Sequence, residues 1–328
     1  GNGRTASCHH PLAHKIPDKE LAKSPSALHN TEFKKKQRKM MLEGERPPEC
    51  SYCWTAEDAS GGNKEGVYSD RVYQTARYTD EEIAALKDIP WDKNVNPKTV
   101  EICFDNLCNL ACSYCNSEFS STWAKDITTK GPYENMETFG GKTYRQDGSL
   151  AMPFGNKNEG NIYVKRFFDW FPEIKDGLDE LRVSGGEPSR SPSFWHLLET
   201  CQNEKFDFAV NSNLIMEDDR LLKLVAASKK FKKFEIYTSA ECCGPLQDFV
   251  RDGFEWDIWE KNMFALNKED SVTTVNIMMT ISALSVWGVA EFIEKIVEWR
   301  KSTRPDQFYM SLNILRFPSF QSVNIIDQ

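Results

Sequence analysis

Thr99–Cys115 reads TVEICFDNLCNLACSYC, and the rest of the chain is parsed from it. Its first part, Thr99–Phe104, is a short β-prone run and predicts a strand. Its second part places Cys108, Cys112 and Cys115 within eight residues directly after that strand. A loop leaving the C-terminal end of a strand is where barrel enzymes assemble their sites. Three thiolates on one loop can hold three corners of a four-iron cluster, leaving one iron open to a substrate or cofactor. An open position suits a catalytic centre, whereas a structural metal site is closed. A zinc knuckle or three buried structural thiols are the alternatives.

Outward from this stretch the chain alternates short apolar runs with longer helical patterns, the signature of βα units and a parallel sheet. After Thr99–Phe104 the expected strands are Glu180–Ser184, Phe206–Asn211, Lys233–Ser239, Thr273–Ile281 and Phe308–Ile314. The expected helices are Ser117–Thr128, Ser191–Gln202, Glu217–Ser228, Pro245–Asn267 and Trp287–Lys301. The fold class is therefore α/β, a partial (β/α)6 TIM-like barrel over residues 98–328, with a small N-terminal Cys-rich domain. Residues 130–160 break the rhythm with Gly, Asn and polar residues and read as an insertion acting as a lid.

The spacing C-x3-C-x2-C, with the aromatic Tyr114 before the last Cys, resembles the core motif of the radical S-adenosylmethionine (SAM) superfamily. Ser184-Gly185-Gly186-Glu187-Pro188 is similar to the family's Gly-Gly-Glu segment, which supports the amino group of the methionine moiety. Glycines there let backbone come close to a ligand. Ser212-Asn213-Leu214 is similar to its Thr-Asn-Gly segment. Ser239-Ala240-Glu241 is similar to its Ser-Ile-Asp segment, which contacts the SAM carboxylate or ribose. Residues 98–318 carry the resemblance. It implies a [4Fe-4S] cluster on Cys108, Cys112 and Cys115, and SAM held by Tyr114, Gly185, Gly186, Glu187, Asn213, Ser239 and Glu241. It also implies the chemistry: one electron reduces SAM at the cluster, and the resulting 5′-deoxyadenosyl radical abstracts hydrogen from a substrate. A reducing donor such as flavodoxin or ferredoxin would supply that electron.

Residues 1–75 are polar and rich in Cys, His and Pro. Gly3 to Cys8 fits G-x4-C, and Cys50-Ser51-Tyr52-Cys53 adds C-x2-C. This resembles the SPASM/twitch module, which implies an auxiliary iron–sulfur cluster on Cys8, Cys50 and Cys53. In that family a further Cys lies upstream of the Gly, and here the chain opens too late to show it. His9, His10 or Glu57 are the substitutes within reach of the sequence, and a zinc site on the same ligands is the alternative. The module normally follows the barrel; here it precedes it. The twitch resemblance points to a peptide or protein substrate, with a small molecule such as a sugar as the second reading. A non-catalytic zinc-binding interaction protein is the third. Within this segment Asn30–Gly44 reads as a helix capped by Asn30 or Thr31, and its basic run Lys34–Lys39 as a solvated face. Residues 76–97 read as a linker with a short helix at Asp80–Lys87.

The bulk properties narrow the setting. Ten Cys, clustered in a chain of 328 residues, point to metal or redox chemistry in a cytoplasmic enzyme and not to a secreted disulfide scaffold. A formal net charge of −8 gives no electrostatic reason to expect nucleic acid. Ser271–Ala290 is uncharged for twenty residues, but Thr273, Thr274, Asn276, Thr280, Ser282, Ser285 and Gly288 interrupt it. It is expected to be a strand, a turn and the start of a helix, with no membrane span. Cys103 and Cys201 are expected as core thiols, and His196 as packing. Cys242 and Cys243 either line the active site or are structural, and Arg251 and Arg316 are candidate contacts for substrate or SAM that nothing in the sequence distinguishes from surface or salt-bridged Arg. Without an initiator Met or a signal peptide, the chain is expected to be a fragment.

Overall fold

The computed structural model describes residues 2–61, 68–131, 133 and 160–326, so nearly all of the insertion expected at 130–160 lies outside the described residues. The chain divides into two compact units, one of residues 3–97 with 165–174, the other of 1–2, 98–164 and 175–328.

The N-terminal unit is built from short elements: strands β1 (Arg4–Thr5) and β2 (His14–Lys15), paired antiparallel, then α1 (Asp18–Lys23), α2 (Glu32–Leu42), α3 (Ser51–Ala59), α4 (Asp70–Thr75) and α5 (Asp80–Lys87). Thr31 caps α2, its side chain accepting from the Lys34 amide. The expected solvated face is wrong at Lys34. That residue is buried, its ammonium donates to Thr5 Oγ1 at 2.8 Å, and burial pulls its pKa down to about 8. Asn30 ties residues 76–97 into this unit, donating to Val95 O at 2.9 Å and accepting from Val95 N at 3.0 Å.

His29 stacks beside Trp170, with ring centroids 6.4 Å apart. Burial, reinforced by the charges of Lys34 and Arg38, pulls its pKa down to about 3. The unfolded chain takes up this proton below about pH 6.5 while the folded chain does not, so stability present above that pH is lost as pH falls. Urea unfolding between pH 6.5 and 4.5 should show a loss approaching ~1.4 kcal/mol per pH unit from this group, and His29→Gln should flatten that slope.

The second unit holds the six expected strands as one parallel sheet: β3 (Thr99–Cys103), β5 (Glu180–Ser184), β6 (Glu204–Ser212), β7 (Phe231–Ser239), β9 (Thr274–Ile281) and β10 (Phe308–Ile314). A two-residue strand, β4 (Ala111–Cys112), lies outside this sheet and pairs with β8 (Arg251–Asp252). The order is β10-β9-β7-β6-β5-β3, so β3 and β10 are its edges among the described residues. One register row runs across all six strands as Ile102, Val183, Val210, Ile236, Val275 and Phe308. The adjacent row, Glu101, Arg182, Ala209, Glu235 and Thr274, faces the other way and is mostly polar. The apolar side is covered by helices that bury Phe194 and Leu197 of α8 (Pro192–Thr200), Leu224 of α9 (Asp218–Ser228), Trp259 and Met263 of α11 (Trp256–Lys268) and Phe292 of α12 (Val289–Ser302). Full burial of such side chains contributes roughly 1.5–3 kcal/mol each.

Two helical expectations change. Ile162–Ile174 forms α7, which lies outside the expected helices although Phe167, Trp170, Phe171 and Ile174 recur at helical spacing and are all buried. Pro172 in its last turn masks the pattern. The single helix expected over Pro245–Asn267 is two, α10 (Gly244–Val250) and α11, separated by β8 and Gly253. Gly253 has φ +89°, and a Cβ on it would lie 3.0 Å from Asn109 O, so the chain turns there against the cysteine loop. The uncharged stretch 271–290 resolves into β9, a turn and the start of α12, and among the described residues no helix is long and apolar enough to cross a membrane.

Candidate functional site

The loop after β3 is fastened by side chains from several elements. Asp105 accepts from the Leu107 amide at 3.1 Å and from Ser191 Oγ, the cap of α8, at 2.5 Å. Helix α6 (Ser121–Lys130) anchors the middle of the loop: the Cys108 amide donates to Ser121 Oγ at 3.0 Å, and Thr122 Oγ1 donates to Cys108 O at 2.7 Å. Ser120 Oγ donates to Leu110 O at 2.7 Å and Trp123 Nε1 to Cys112 O at 2.9 Å. A turn from the Cys115 amide to Cys112 O closes it at 2.9 Å.

Beneath the loop run Gly185 and Gly186. A Cβ on Gly186 would stand 2.3 Å from Leu107 O, and one on Gly185 2.7 Å from Cys103 Sγ, so only glycines let the strand end and the loop pass this closely. The next residue acts as a clamp. The Glu187 amide donates to Leu107 O at 2.6 Å, and its buried carboxylate accepts from Asn213 N at 2.6 Å, Ser212 Oγ at 2.8 Å and Ser189 N at 3.0 Å. Burial raises its pKa, and these donors work in the opposite direction. Asn213 completes the tie to β6 by donating to Asn109 Oδ1 at 2.9 Å. Leu214 follows with φ +56° and a fully buried side chain, at the position matching the glycine of the Thr-Asn-Gly pattern.

The far side of the loop is closed by β4 with β8. They are antiparallel, with Cys112 opposite Arg251. Arg251 meets Glu241 as a bidentate pair, Nε to Oε2 at 2.8 Å and a terminal nitrogen to Oε1 at 2.7 Å. Tyr114 donates to the same Oε1 at 2.8 Å and also contacts Arg251, whose other terminal nitrogen reaches Cys112 Sγ at 3.5 Å. Burial opposes the charge on Arg251, but Glu241 and then Tyr114 more than offset it and hold the guanidinium protonated. Ser239 ends β7, half-buried. Cys242 is buried with its sulfur 3.5 Å from Gln247 Oε1, and Cys243 caps α10. Cys201 lies fully in the core, as expected, whereas Cys103 is only half-buried at the end of β3.

The three loop thiols Cys108, Cys112 and Cys115 lie on one loop and offer three sulfur ligands. Among the described residues the trio of ligand atoms mutually within 4.8 Å is His9, His10 and Asp70. Burial pushes the Cys108 thiol up to about 12 and raises Cys115 and Cys112, with Arg251 pulling Cys112 the other way. Thiols held protonated in this way are released to a metal by proton displacement.

In the N-terminal unit Cys8 is exposed, Cys50 half-buried and Cys53 buried. Burial raises Cys8 and Cys50, and the other two thiols of the set influence Cys50 electrostatically. The His10 ring stacks on Tyr52 at 4.0 Å and lies 3.8 Å from Asp70. Glu57, a candidate substitute ligand, is instead occupied by Ser69 Oγ at 2.5 Å and by Arg71 at 2.7 and 3.1 Å.

Sequence reasoning missed Asp105, Asn109, Ser120, Ser121 and Ser191, small polar residues whose roles depend on distant partners. It named Arg251 only as a candidate contact for substrate or SAM, not as the partner of Glu241 and Cys112. The signal that would have found it is Asp252-Gly253, a turn dipeptide inside an apparent helix.

No protein-family model and no curated protein matches the chain. Among solved structures, its fold is similar to Streptococcus suis SuiB bound to S-adenosylmethionine, with 15% identity over 83% of this chain and 53% of that one, at a TM-score of 0.45. It is also similar to SuiB bound to precursor peptide SuiA, with 15% identity over 80% of this chain and 62% of that one, at a TM-score of 0.40. TYW1 with a lysine-pyruvate adduct bound gives 15% identity over 67% of this chain and 66% of that one, at 0.35. This chain thus spans a little over half the length of the SuiB structures.

Proposed function

We propose that this chain is a radical SAM enzyme. The observation that carries the reading is the loop itself: three thiols on the loop that leaves the C-terminal end of β3 and crosses directly over Gly185-Gly186. Cys108, Cys112 and Cys115 would hold a [4Fe-4S] cluster, which when bound supplies the electron that cleaves SAM to a 5′-deoxyadenosyl radical for hydrogen abstraction. The chain's own residues keep the loop rigid. Glu187 and Asn213 lock it to β6, Asp105 to α8, and Tyr114, Glu241 and Arg251 fix its Cys112 end. That rigidity places the thiols before a metal arrives. Gly185, Gly186 and Ser239, at the ends of β5 and β7, are the positions assigned to SAM with Tyr114, Glu187 and Asn213. Glu241, assigned to SAM by resemblance, has both carboxylate oxygens taken by Arg251 and Tyr114.

Cys8, Cys50 and Cys53 are assigned to an auxiliary iron–sulfur centre, and a peptide or protein to the substrate. For the N-terminal unit a second reading has its own support: the trio His9, His10 and Asp70 has the spacing of a single metal ion, and a mononuclear zinc there is the competing assignment.

Anaerobically reconstituted protein, given SAM and dithionite, should release 5′-deoxyadenosine and methionine. Full iron loading without either product would sink the reading. Deuterium carried into 5′-deoxyadenosine from a deuterated peptide pool would support a peptide substrate; deuterium from deuterated sugars alone would favour a small molecule.

A further inference from the structure

We infer that Arg251, oriented by Glu241 and Tyr114, is a positioning residue that acts through the Cys112 sulfur to set the reduction potential of the cluster centre, an inference that rests on the function proposed above. The geometry for this is built at three levels. The β4–β8 pair fixes Arg251 opposite Cys112 in register, so the guanidinium is delivered to that thiol by backbone pairing. Glu241 takes two of its N–H groups with both carboxylate oxygens, and Tyr114 takes a further contact, leaving the other terminal nitrogen aimed at Cys112 Sγ at 3.5 Å. Glu241 itself is held from behind, because Gln247 Oε1 accepts from the Glu241 amide at 3.0 Å and the Cys242 amide at 3.2 Å. All of this is buried: Glu241 is 0% exposed, Arg251 7% and Cys112 8%.

Such an arrangement has opposed effects on a redox centre. A cationic donor to a ligating sulfur stabilises the more negative, reduced state, while the carboxylate behind it destabilises that state. Hydrogen bonds to cluster sulfurs and local net charge are the recognised levers on such potentials. With both oxygens of Glu241 already bonded to Arg251 and Tyr114, its carboxylate is committed to orienting the guanidinium and cancelling its charge.

The two halves of the pair therefore push in opposite directions, and that sign difference is the test. Reconstituted wild type, Glu241→Gln, Arg251→Lys and the double variant Glu241→Gln/Arg251→Met would be compared by iron analysis and by potentiometric EPR, with dithionite as the electron source. The signal of the loop centre is identified as the one absent from Cys112→Ala. The double variant replaces a buried ion pair by neutral groups of similar volume, a change that folds tolerate well. Glu241→Gln should favour reduction by tenfold or more, a rise of about 59 mV for a one-electron couple, because the guanidinium is no longer offset. The double variant and Arg251→Lys should both shift below wild type, since the N–H to sulfur contact is lost. Iron-loaded variants that keep the wild-type potential, or that all shift the same way, would overturn the inference. So would loss of iron in every variant, which would make Arg251 a folding element alone. A wild type without any four-iron signal would instead overturn the proposed function, and this inference with it.

Discussion

Cys112→Ala will retain about four irons per chain where the reconstituted wild type holds about eight, and will lose 5′-deoxyadenosine formation to background. The expectation follows from position. Cys112 is the most buried of the three loop thiols, at 8% exposure, and it sits in the β4–β8 pair, so alanine preserves the backbone and removes only the ligand. Two thiolates cannot retain a cluster that needs three. The remaining irons would belong to the centre on Cys8, Cys50 and Cys53. Cys201→Ala is the control: that thiol lies fully in the core, and its removal should leave the iron unchanged at a cost of about 1 kcal/mol. Iron and acid-labile sulfide, read with the visible spectrum, separate these cases. Equal iron in wild type and Cys112→Ala would remove the loop from the cluster assignment.

Gly186→Ala will be the most damaging single methyl in the second unit. The added Cβ would lie 2.3 Å from Leu107 O and 2.7 Å from the Asn106 carbonyl carbon, both backbone atoms. Neither can rotate away, so strand or loop must shift, at an expected cost of about 3 kcal/mol or more. The shift acts on the segment just before Cys108, and iron retained by the loop should fall with stability. Gly244→Ala makes the comparison sharp. Gly244 has φ +57° but nothing within 4 Å of a Cβ, so it should lose only the backbone term of about 1 kcal/mol and keep its iron. Denaturant midpoints and iron content on the two variants distinguish steric exclusion from ordinary glycine strain. A Gly186→Ala protein as stable as Gly244→Ala would refute the close crossing of loop and strand.

The sheet was legible because its strands are buried on the helix side, which forces apolar residues into every second position. All six runs named from sequence are strands, with ends moved by a few residues, as at Glu204 and Phe231. The cysteine spacing and the Gly-Gly-Glu segment were legible because each is local. What escaped was non-local. Lys34 reads as surface within its basic run, and its partners in the fold, the Thr5 hydroxyl 29 residues away and the Glu49 carboxylate, are non-local. Glu241 reads as a ligand-facing carboxylate by analogy, yet its oxygens are taken by Arg251 and Tyr114, and Tyr114 is 127 residues distant. The break between α10 and α11 exists because the cysteine loop must be met there, a requirement absent from the helical periodicity of 245–267 itself.

The distance between Cys112 and Arg251 in sequence, 139 residues, also orders events during synthesis. The loop thiols leave the ribosome well before Gly185-Gly186, Asn213 and Arg251, the residues that orient them. At about 5–20 residues per second that interval is roughly 7–28 seconds, long compared with the folding of most small domains. During it the three cysteines would lack the contacts from Glu187, Asn213 and Arg251 and would be more open to oxidation and to stray zinc. Iron delivery to this loop is therefore expected after the sheet has closed around it, and cells that load the protein well should be those that keep nascent thiols reduced until α11 has been made.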